Sequence, residues 1–304
     1  MKRKVALIGP SSLMVSLPSK WVKQWNIKKG DEVEVQEKEG VLMIGTPLKE
    51  EERSIVLDMK DFELGVNRVI GALYKQGYDQ VTLHISSPKQ LETIYQVLKK
   101  TCIGYEIIEQ TKGKVVMKQI SKLEPNEFDH MLKRLFLFLL CSAEECVDAM
   151  DAKKVAAVNT IITRDDSINR YADFCRRVLN VQQMKKANAV YHVIEQMERI
   201  GDEYKDMCKY VMQQKMILDE KLIPKVKVAK EVLEQFYHLF YGFSFEKLEF
   251  FYKKYNNDAR DMDDLLKQIK NPEQIRVLFH LRSIVKLVFD AMGNVIIAKG
   301  EQSI

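Results

Sequence analysis

The spacing of apolar residues changes twice along the chain, and the changes mark out three regions. Up to about residue 46 apolar side chains come in short alternating runs, the signature of strands. Residues 4–8 and 13–17 predict two strands around a Gly9-Pro10-Ser11-Ser12 turn. Pro18 then opens a short helix reaching residue 25, where its fixed φ is tolerated. Lys29-Gly30-Asp31 and Glu39-Gly40 are turns that precede strands at 32–36 and 41–44. A unit of about 45 residues buries little core unaided, so it is expected to pair, most simply with a second copy of itself.

A charged linker, residues 48–53, leads into a mixed stretch. Residues 54–57 predict a strand, and Asp61 is placed to cap a helix that runs to residue 75 and stops at Gly77. Residues 80–85 are a strand with Val81, Leu83 and Ile85 on one face, and Ser87 caps a helix over 88–99. Strands at 104–110 and 114–120 flank a Thr111-Lys112-Gly113 hairpin turn. This β-α-β-α-β-β order predicts a small α/β domain over 53–121, without a glycine-rich phosphate loop. It reads as a spacer or second dimer contact, with a small-molecule sensor as the alternative.

From residue 124 onward the spacing is three and four throughout. Helices are expected at 124–150, 152–179, 185–214, 225–242, 245–270 with a break near Asn256, and 272–298. Three helices followed by three indicate an internal duplication, repeat one over 124–214 and repeat two over 222–300. In the third helix Val190, Ile194, Met197, Gly201, Tyr204, Cys208 and Val211 form one apolar stripe. A glycine inside a helix costs about 1 kcal/mol against alanine, so Gly201 is expected to let a neighbouring helix come close. Glu198 and Asp202 are four apart and point the same way beside the stripe. That spacing suits a shared cation, and it also suits two solvated carboxylates.

With 46% hydrophobic and 30% charged residues, the composition is that of a folded globular protein. The longest apolar run, 135–141, is far short of the about 20 residues that span a bilayer. No secretory apolar segment opens the sequence, so a cytoplasmic protein without an integral membrane segment is expected. Five scattered cysteines without a Cys-x-x-Cys pair predict reduced thiols. The net charge of +5 is unevenly placed. Lys2, Arg3, Lys4, Lys20, Lys23, Lys28 and Lys29 fall within residues 1–29, which hold neither Asp nor Glu, so the remainder is net acidic. Such a basic segment attracts phosphate backbones or anionic lipid.

Residues 11–23, SSLMVSLPSKWVK, with Ile27-Lys28-Lys29-Gly30-Asp31-Glu32-Val33, resemble the AbrB/SpoVT-type swapped-hairpin DNA-binding domains. Over residues 1–47 the resemblance implies a barrel of hairpins interlocked between two chains. It also implies DNA contact through Lys2, Arg3, Lys4, Ser11, Ser12, Lys20 and Lys23. The family's glycine-arginine pair ahead of the second strand is absent; Ser12-Leu13 stands there. Use of the domain only to dimerise is the alternative.

Glu198-Arg199-Ile200-Gly201-Asp202 is similar to the signature of PhoU-type phosphate-uptake regulators. Over residues 123–304 that resemblance implies two three-helix repeats with acidic metal-binding motifs. Laid over each other, the halves match Asp166 with Asp261 and Asp202 with Asp290, while Lys286 stands where the first half has Glu198. The implied ligands are Asp166, Glu198, Asp202 and Asp290, for a divalent or trivalent ion such as magnesium, zinc, iron or manganese. The pairing resembles archaeal phosphate-uptake regulators of multidomain α+β class. It implies a non-enzymatic, homodimeric, DNA-binding regulator of phosphate uptake. The helical domain would sense a metal or a partner, such as a phosphate ABC transporter's ATPase subunit. An adaptor that touches the transporter and never meets DNA is the alternative, and a carboxylate-bridged metal hydrolase or oxidase ranks third. Glu127-x-x-His130 is half of a di-iron pattern whose other half is missing. The aromatic run over 236–252 is expected to be core, with a partner patch as the alternative.

Overall fold

The computed structural model describes residues 2–38, 40–45, 52–121, 125–151, 156–182 and 184–300. The chain forms two compact units, Met1–Glu52 and Arg53–Ile304. In the first, β1 (Val5–Ile8) and β2 (Ser12–Val15) pair antiparallel, Val5 opposite Val15 and Ile8 opposite Ser12. Gly9 turns this hairpin with φ +69°, a conformation glycine adopts without steric cost. Pro18 precedes α1 (Ser19–Gln24), and β3 (Glu34–Lys38) and β4 (Val41–Gly45) make a second antiparallel hairpin. The two hairpins are separate two-stranded sheets. None of the described residues of this unit is buried.

The second unit begins with a four-stranded sheet in the order β5-β6-β8-β7. Strands β5 (Ser54–Asp58) and β6 (Gln80–His84) run parallel, joined by α2 (Val66–Gln76). Then α3 (Pro88–Lys100) leads to the hairpin of β7 (Tyr105–Thr111) and β8 (Lys114–Gln119). Alternation puts Val81, Leu83, Val115 and Met117 on one face, where they share a core with Ile70 and Leu73 of α2 and Ile94 and Val97 of α3. Ser87 caps α3 through a reciprocal box with Gln90, as the sequence predicts. Asp61, by contrast, does not start α2; that helix begins at Val66 behind Gly65. The reason is Gln90, whose side-chain amide donates to the carbonyls of Met59 (2.5 Å) and Phe62 (3.1 Å) and holds this segment in a turn.

Six helices follow: α4 (Pro125–Asp151), α5 (Ala156–Gln182), α6 (Ala187–Gln213), α7 (Ile223–Tyr241), α8 (Phe245–Gln268) and α9 (Pro272–Lys299). They share one hydrophobic core. Helix α6 packs against α4, α5 and α9, while α7 lies against α4, α8 and α9. A Cβ built on Gly201 would come 3.1 Å from Ile168 Cγ2 and 3.4 Å from Leu139 Cδ2. The glycine therefore admits α5 and α4 at close range, as its place on the stripe predicts. The break expected near Asn256 is absent: α8 is continuous. Phe251 and Tyr255 lie on its buried side, with the Phe251 ring 5.0 Å from Phe289 of α9, and this packing carries the helix through its polar middle. The start of the second helix, expected at residue 152, lies outside the described residues. Of the aromatic run, Phe236, Phe240, Phe251 and Tyr255 are core, while Tyr241, Phe245 and Phe250 are exposed.

The sheet with α2 and α3 belongs to the same compact unit as the six helices. Arg177 of α5, fully enclosed, joins them. Its Nη1 donates to the carbonyls of Tyr74 (2.8 Å) and Tyr78 (2.7 Å), and its Nη2 to Asp79 Oδ1 (2.9 Å). Asn180 adds a bond to the Lys75 carbonyl at 2.7 Å. The Arg177 donors add to the Gly77 amide on the Tyr74 carbonyl and to the Tyr105 hydroxyl on the Tyr78 carbonyl, and Asn180 takes the Lys75 carbonyl in the last turn of α2.

Candidate functional site

Two places hold the residues singled out from the sequence. The first is the N-terminal unit. Lys2, Arg3 and Lys4 lie just before β1, and Ser11 and Ser12 lie at the turn into β2; all five are exposed. Lys20 and Lys23 are three apart on α1, so they share a face and are both exposed, while Trp21 and Val22 between them are half-buried. Arg3 Nη1 reaches the Ser16 hydroxyl at 3.5 Å. The Lys28 amide donates to Asp31 Oδ2 at 2.7 Å and fixes the turn that presents Lys28 and Lys29. Lysine and arginine heads in water, carried on hairpins and a short helix, are groups that contact phosphate oxygens.

The same unit exposes its apolar residues. Leu13 is 74% exposed, Leu7 65%, Val5 64% and Leu42 64%, and Val35, Val41, Met43 and Trp25 are also exposed. The alternating pattern that should create an inside face is present, yet none of the described residues of this unit is buried. An apolar surface of this extent on so small a unit marks an association surface.

The second place is the face where α5 and α6 meet. It carries Glu198 and Asp202 of α6, while Asp166 of α5 turns to α3 and Asp290 lies on α9, so the structure does not bring the four expected ligands together, and each is matched with a cation from the protein. Asp166 pairs with Lys100 of α3 at 3.2 Å, and Asp290 with Lys286 at 2.7 Å. Asp202 takes Lys205, whose ammonium also binds Asp165 at 3.0 Å. Glu198 takes Arg176, which is 1% exposed and also bonds Asp173 at 2.9 Å. Glu195 lies 2.9 Å from Arg176 Nε as an ion pair, without hydrogen-bond alignment. Burial pushes the Glu198 carboxyl above its usual range, and Arg176 works against that rise. Asp165 is likewise raised by burial and opposed by Lys205. Burial alone would lower the Lys205 ammonium, but hydrogen bonds to Asp202 and Asp165 outweigh it and hold it above its ordinary value.

Among the described residues no three His, Cys, Asp or Glu side chains stand together as a metal site would require. A metal ion at Glu198 and Asp202 would have to displace a guanidinium and an ammonium, so the residues as placed do not fit one. The sequence reading had Asp165 only as a possible further ligand beside Asp166, and Arg176 and Arg177 of α5 escaped it. The signal was there: arginine is almost never fully enclosed unless paired, and the adjacent Arg176-Arg177 lies three residues after Asp173 on a helix with an apolar side.

Residues 7–53 match the family described as antidote-toxin recognition MazE, bacterial antitoxin. The chain carries a MazE-like domain at its N-terminus. The match begins inside β1 and runs through β2, α1, β3 and β4; it contains Ser11, Ser12, Lys20 and Lys23 and leaves out Lys2, Arg3 and Lys4. It supports the AbrB-type reading of this region and a DNA-binding or antitoxin-type regulator as its class. No curated protein and no solved structure matches the chain. Beyond the MazE-like domain the chain is mostly helical, and among the described residues no helix is long and apolar enough to cross a membrane.

Proposed function

We propose that this protein is a dimeric, non-enzymatic DNA-binding regulator. Its MazE-like domain would close on a second copy and read the DNA backbone through Lys2, Arg3, Lys4, Lys20 and Lys23, with Ser11 and Ser12 at the hairpin tip. The observation that carries this reading is the N-terminal unit itself. It combines exposed cations with hairpins that bury nothing in one chain. Association with a second copy supplies the missing core and doubles the cations in one step.

The finer reading is that the six helices are two PhoU-like three-helix repeats in a regulator of phosphate uptake. Its support is the Glu-Arg-Ile-Gly-Asp run, with Gly201 at the close approach of α5. Because the acidic residues are matched by Arg176, Lys205 and Lys286, the state sensed would be that of a partner protein rather than a metal. A phosphate transporter's ATPase subunit is the partner the resemblance suggests. Ser12-Leu13, in place of the usual glycine-arginine pair, favours a second reading in which the domain serves only to dimerise and the protein is an adaptor.

The test is binding of the full chain to duplex DNA across a range of salt, beside Lys20→Glu/Lys23→Glu. If the dimer meets about 4–8 phosphates, log affinity falls against log salt with a slope of roughly −4 to −7. The double variant then loses most of that slope. Absence of binding at low salt removes the DNA reading and leaves the adaptor.

A further inference from the structure

Four of the five free cysteines are buried, and two of them meet. Cys146 of α4 and Cys208 of α6 are fully enclosed in the helical core, with their Sγ atoms 4.0 Å apart. A disulfide has an S–S length of about 2.05 Å. Closure of about 2 Å is therefore needed, which staggered rotation about Cα–Cβ can supply. A second observation concerns the same spot. Tyr204 stands one turn before Cys208 on α6, its hydroxyl is buried without a hydrogen-bond partner, and both thiols act on it electrostatically.

We propose that Cys146 and Cys208 are a peroxide-sensitive pair that closes into a disulfide and clamps α4 to α6. A peroxide first oxidises one thiol: an S–O bond forms, the O–O bond breaks, and one water leaves when the peroxide is hydrogen peroxide. The second sulfur then attacks the sulfenic sulfur, the S–O bond breaks, and a second water leaves. The two thiols give up two electrons and two protons, and the peroxide accepts them. The residues joined are 62 apart in sequence, so the link constrains a long loop of the unfolded chain and stabilises the folded unit. The contact with Cys208 and burial both hold the Cys146 thiol well above its ordinary value. Thiolate is therefore scarce, and closure is slow compared with oxidation of the exposed Cys141. The clamp answers sustained oxidation, not a brief pulse.

The test uses the full chain carrying Cys141→Ser, which removes the exposed thiol and its intermolecular products, treated with hydrogen peroxide under native conditions. The expected result is a loss of the mass of two hydrogens, a reducible peptide joining residues 146 and 208, and a higher melting temperature than the reduced protein. Adding Cys208→Ser abolishes the cross-linked peptide. The proposal is overturned if both cysteines remain free thiols after peroxide treatment continued for many times the period that oxidises Cys141 completely in the unaltered chain. It is equally overturned if the link forms only in denaturant, or if it lowers the melting temperature.

Discussion

Arg177→Met tests whether the sheet with α2 and α3 and the six helices unfold as one unit. Methionine keeps much of the aliphatic stem's packing and removes every polar contact of the guanidinium. The carbonyls of Tyr74 and Tyr78 lose donors at 2.8 and 2.7 Å, and Asp79 loses its partner at 2.9 Å. The rings of Tyr74 and Tyr105, with centroids 5.1 and 5.4 Å from the guanidinium, lose a cation. Neither carbonyl is orphaned, because Tyr74 keeps the Gly77 amide at 3.0 Å and Tyr78 keeps the Tyr105 hydroxyl, so the ion pair sets the scale. Removing one partner of a buried ion pair costs about 3–5 kcal/mol. The Asp79 side chain is 37% exposed, so water takes over part of its charge. The desolvation cost of the guanidinium also disappears. The net loss is then about 3–4 kcal/mol, near the low end of the buried-pair range.

For a unit of this length 1 kcal/mol moves the melting temperature by roughly 2–4 °C, so a fall of roughly 6–15 °C is expected. Circular dichroism reads the fall. Native-state hydrogen exchange at residues 74–79 reads whether the sheet now opens ahead of the helices. Arg177→Lys should lie between, because one ammonium cannot reproduce the fork that serves three acceptors. A loss below about 1 kcal/mol, with unchanged exchange at residues 74–79, would refute the claim that this arginine joins the two parts.

Three further outcomes are expected. Gly201→Ala gains about 1 kcal/mol of helix propensity but forces a methyl against Ile168 and Leu139, and overpacking costs about 1–3 kcal/mol. It should destabilise by about 1 kcal/mol on denaturant titration, and adding Ile168→Val should recover most of this; a stabilised single variant would sink the close-approach argument. Phe251→Ala should cost about 3–5 kcal/mol by urea unfolding, because its ring is enclosed and lies 5.1 Å from Tyr255 and 5.0 Å from Phe289. Burial, opposed by Lys205, holds the Asp165 carboxyl above its ordinary value in the folded state. The folded protein thus binds the extra proton, and this residue's contribution to stability falls as pH rises from that value through the raised one. In Asp165→Asn that decline should be missing from the unfolding midpoint measured across the acid range, and an unchanged pH profile would count against it.

Most of the architecture was legible because it rests on local signals. Alternation over residues 80–85 and the strand pattern over 114–120 marked the central strands, and Ser87 followed by Pro88 marked the start of α3 to the residue. Failures came where a distant side chain overrode the local pattern. Asp61 is a sound cap by type, but Gln90 claims the carbonyls of Met59 and Phe62 that a helix there would use. Asn256-Asn257 reads as a break by propensity, yet Phe251 and Tyr255 bury beside it and hold α8 continuous. At the candidate sites the exposed cations of the N-terminal unit were read directly from charge. The carboxylates of α5 and α6 were not, since spacing places Glu198 and Asp202 on one face without saying that Arg176 and Lys205 already stand there. A long-range ion pair has no period in the sequence.

The two units solve opposite problems, and this bears on where function sits. Arg53–Ile304 buries its apolar residues within one chain and even encloses two arginines, so its stability is self-contained. The N-terminal unit has the alternation of a folded sheet and no interior. Its stability must then depend on protomer concentration, since an association that supplies the core is a mass-action step. The same step brings two copies of Lys20 and Lys23 together on one particle. Each phosphate neutralised steepens the salt dependence by about 0.9, so a dimer is expected to bind DNA far more tightly than a single chain. Dissociation of the dimer would abolish core and charge density at once. Under the proposed function, whatever loosens or tightens the association would control DNA affinity without touching a single base contact. The helical unit need act only on the distance between two chains to be a regulator.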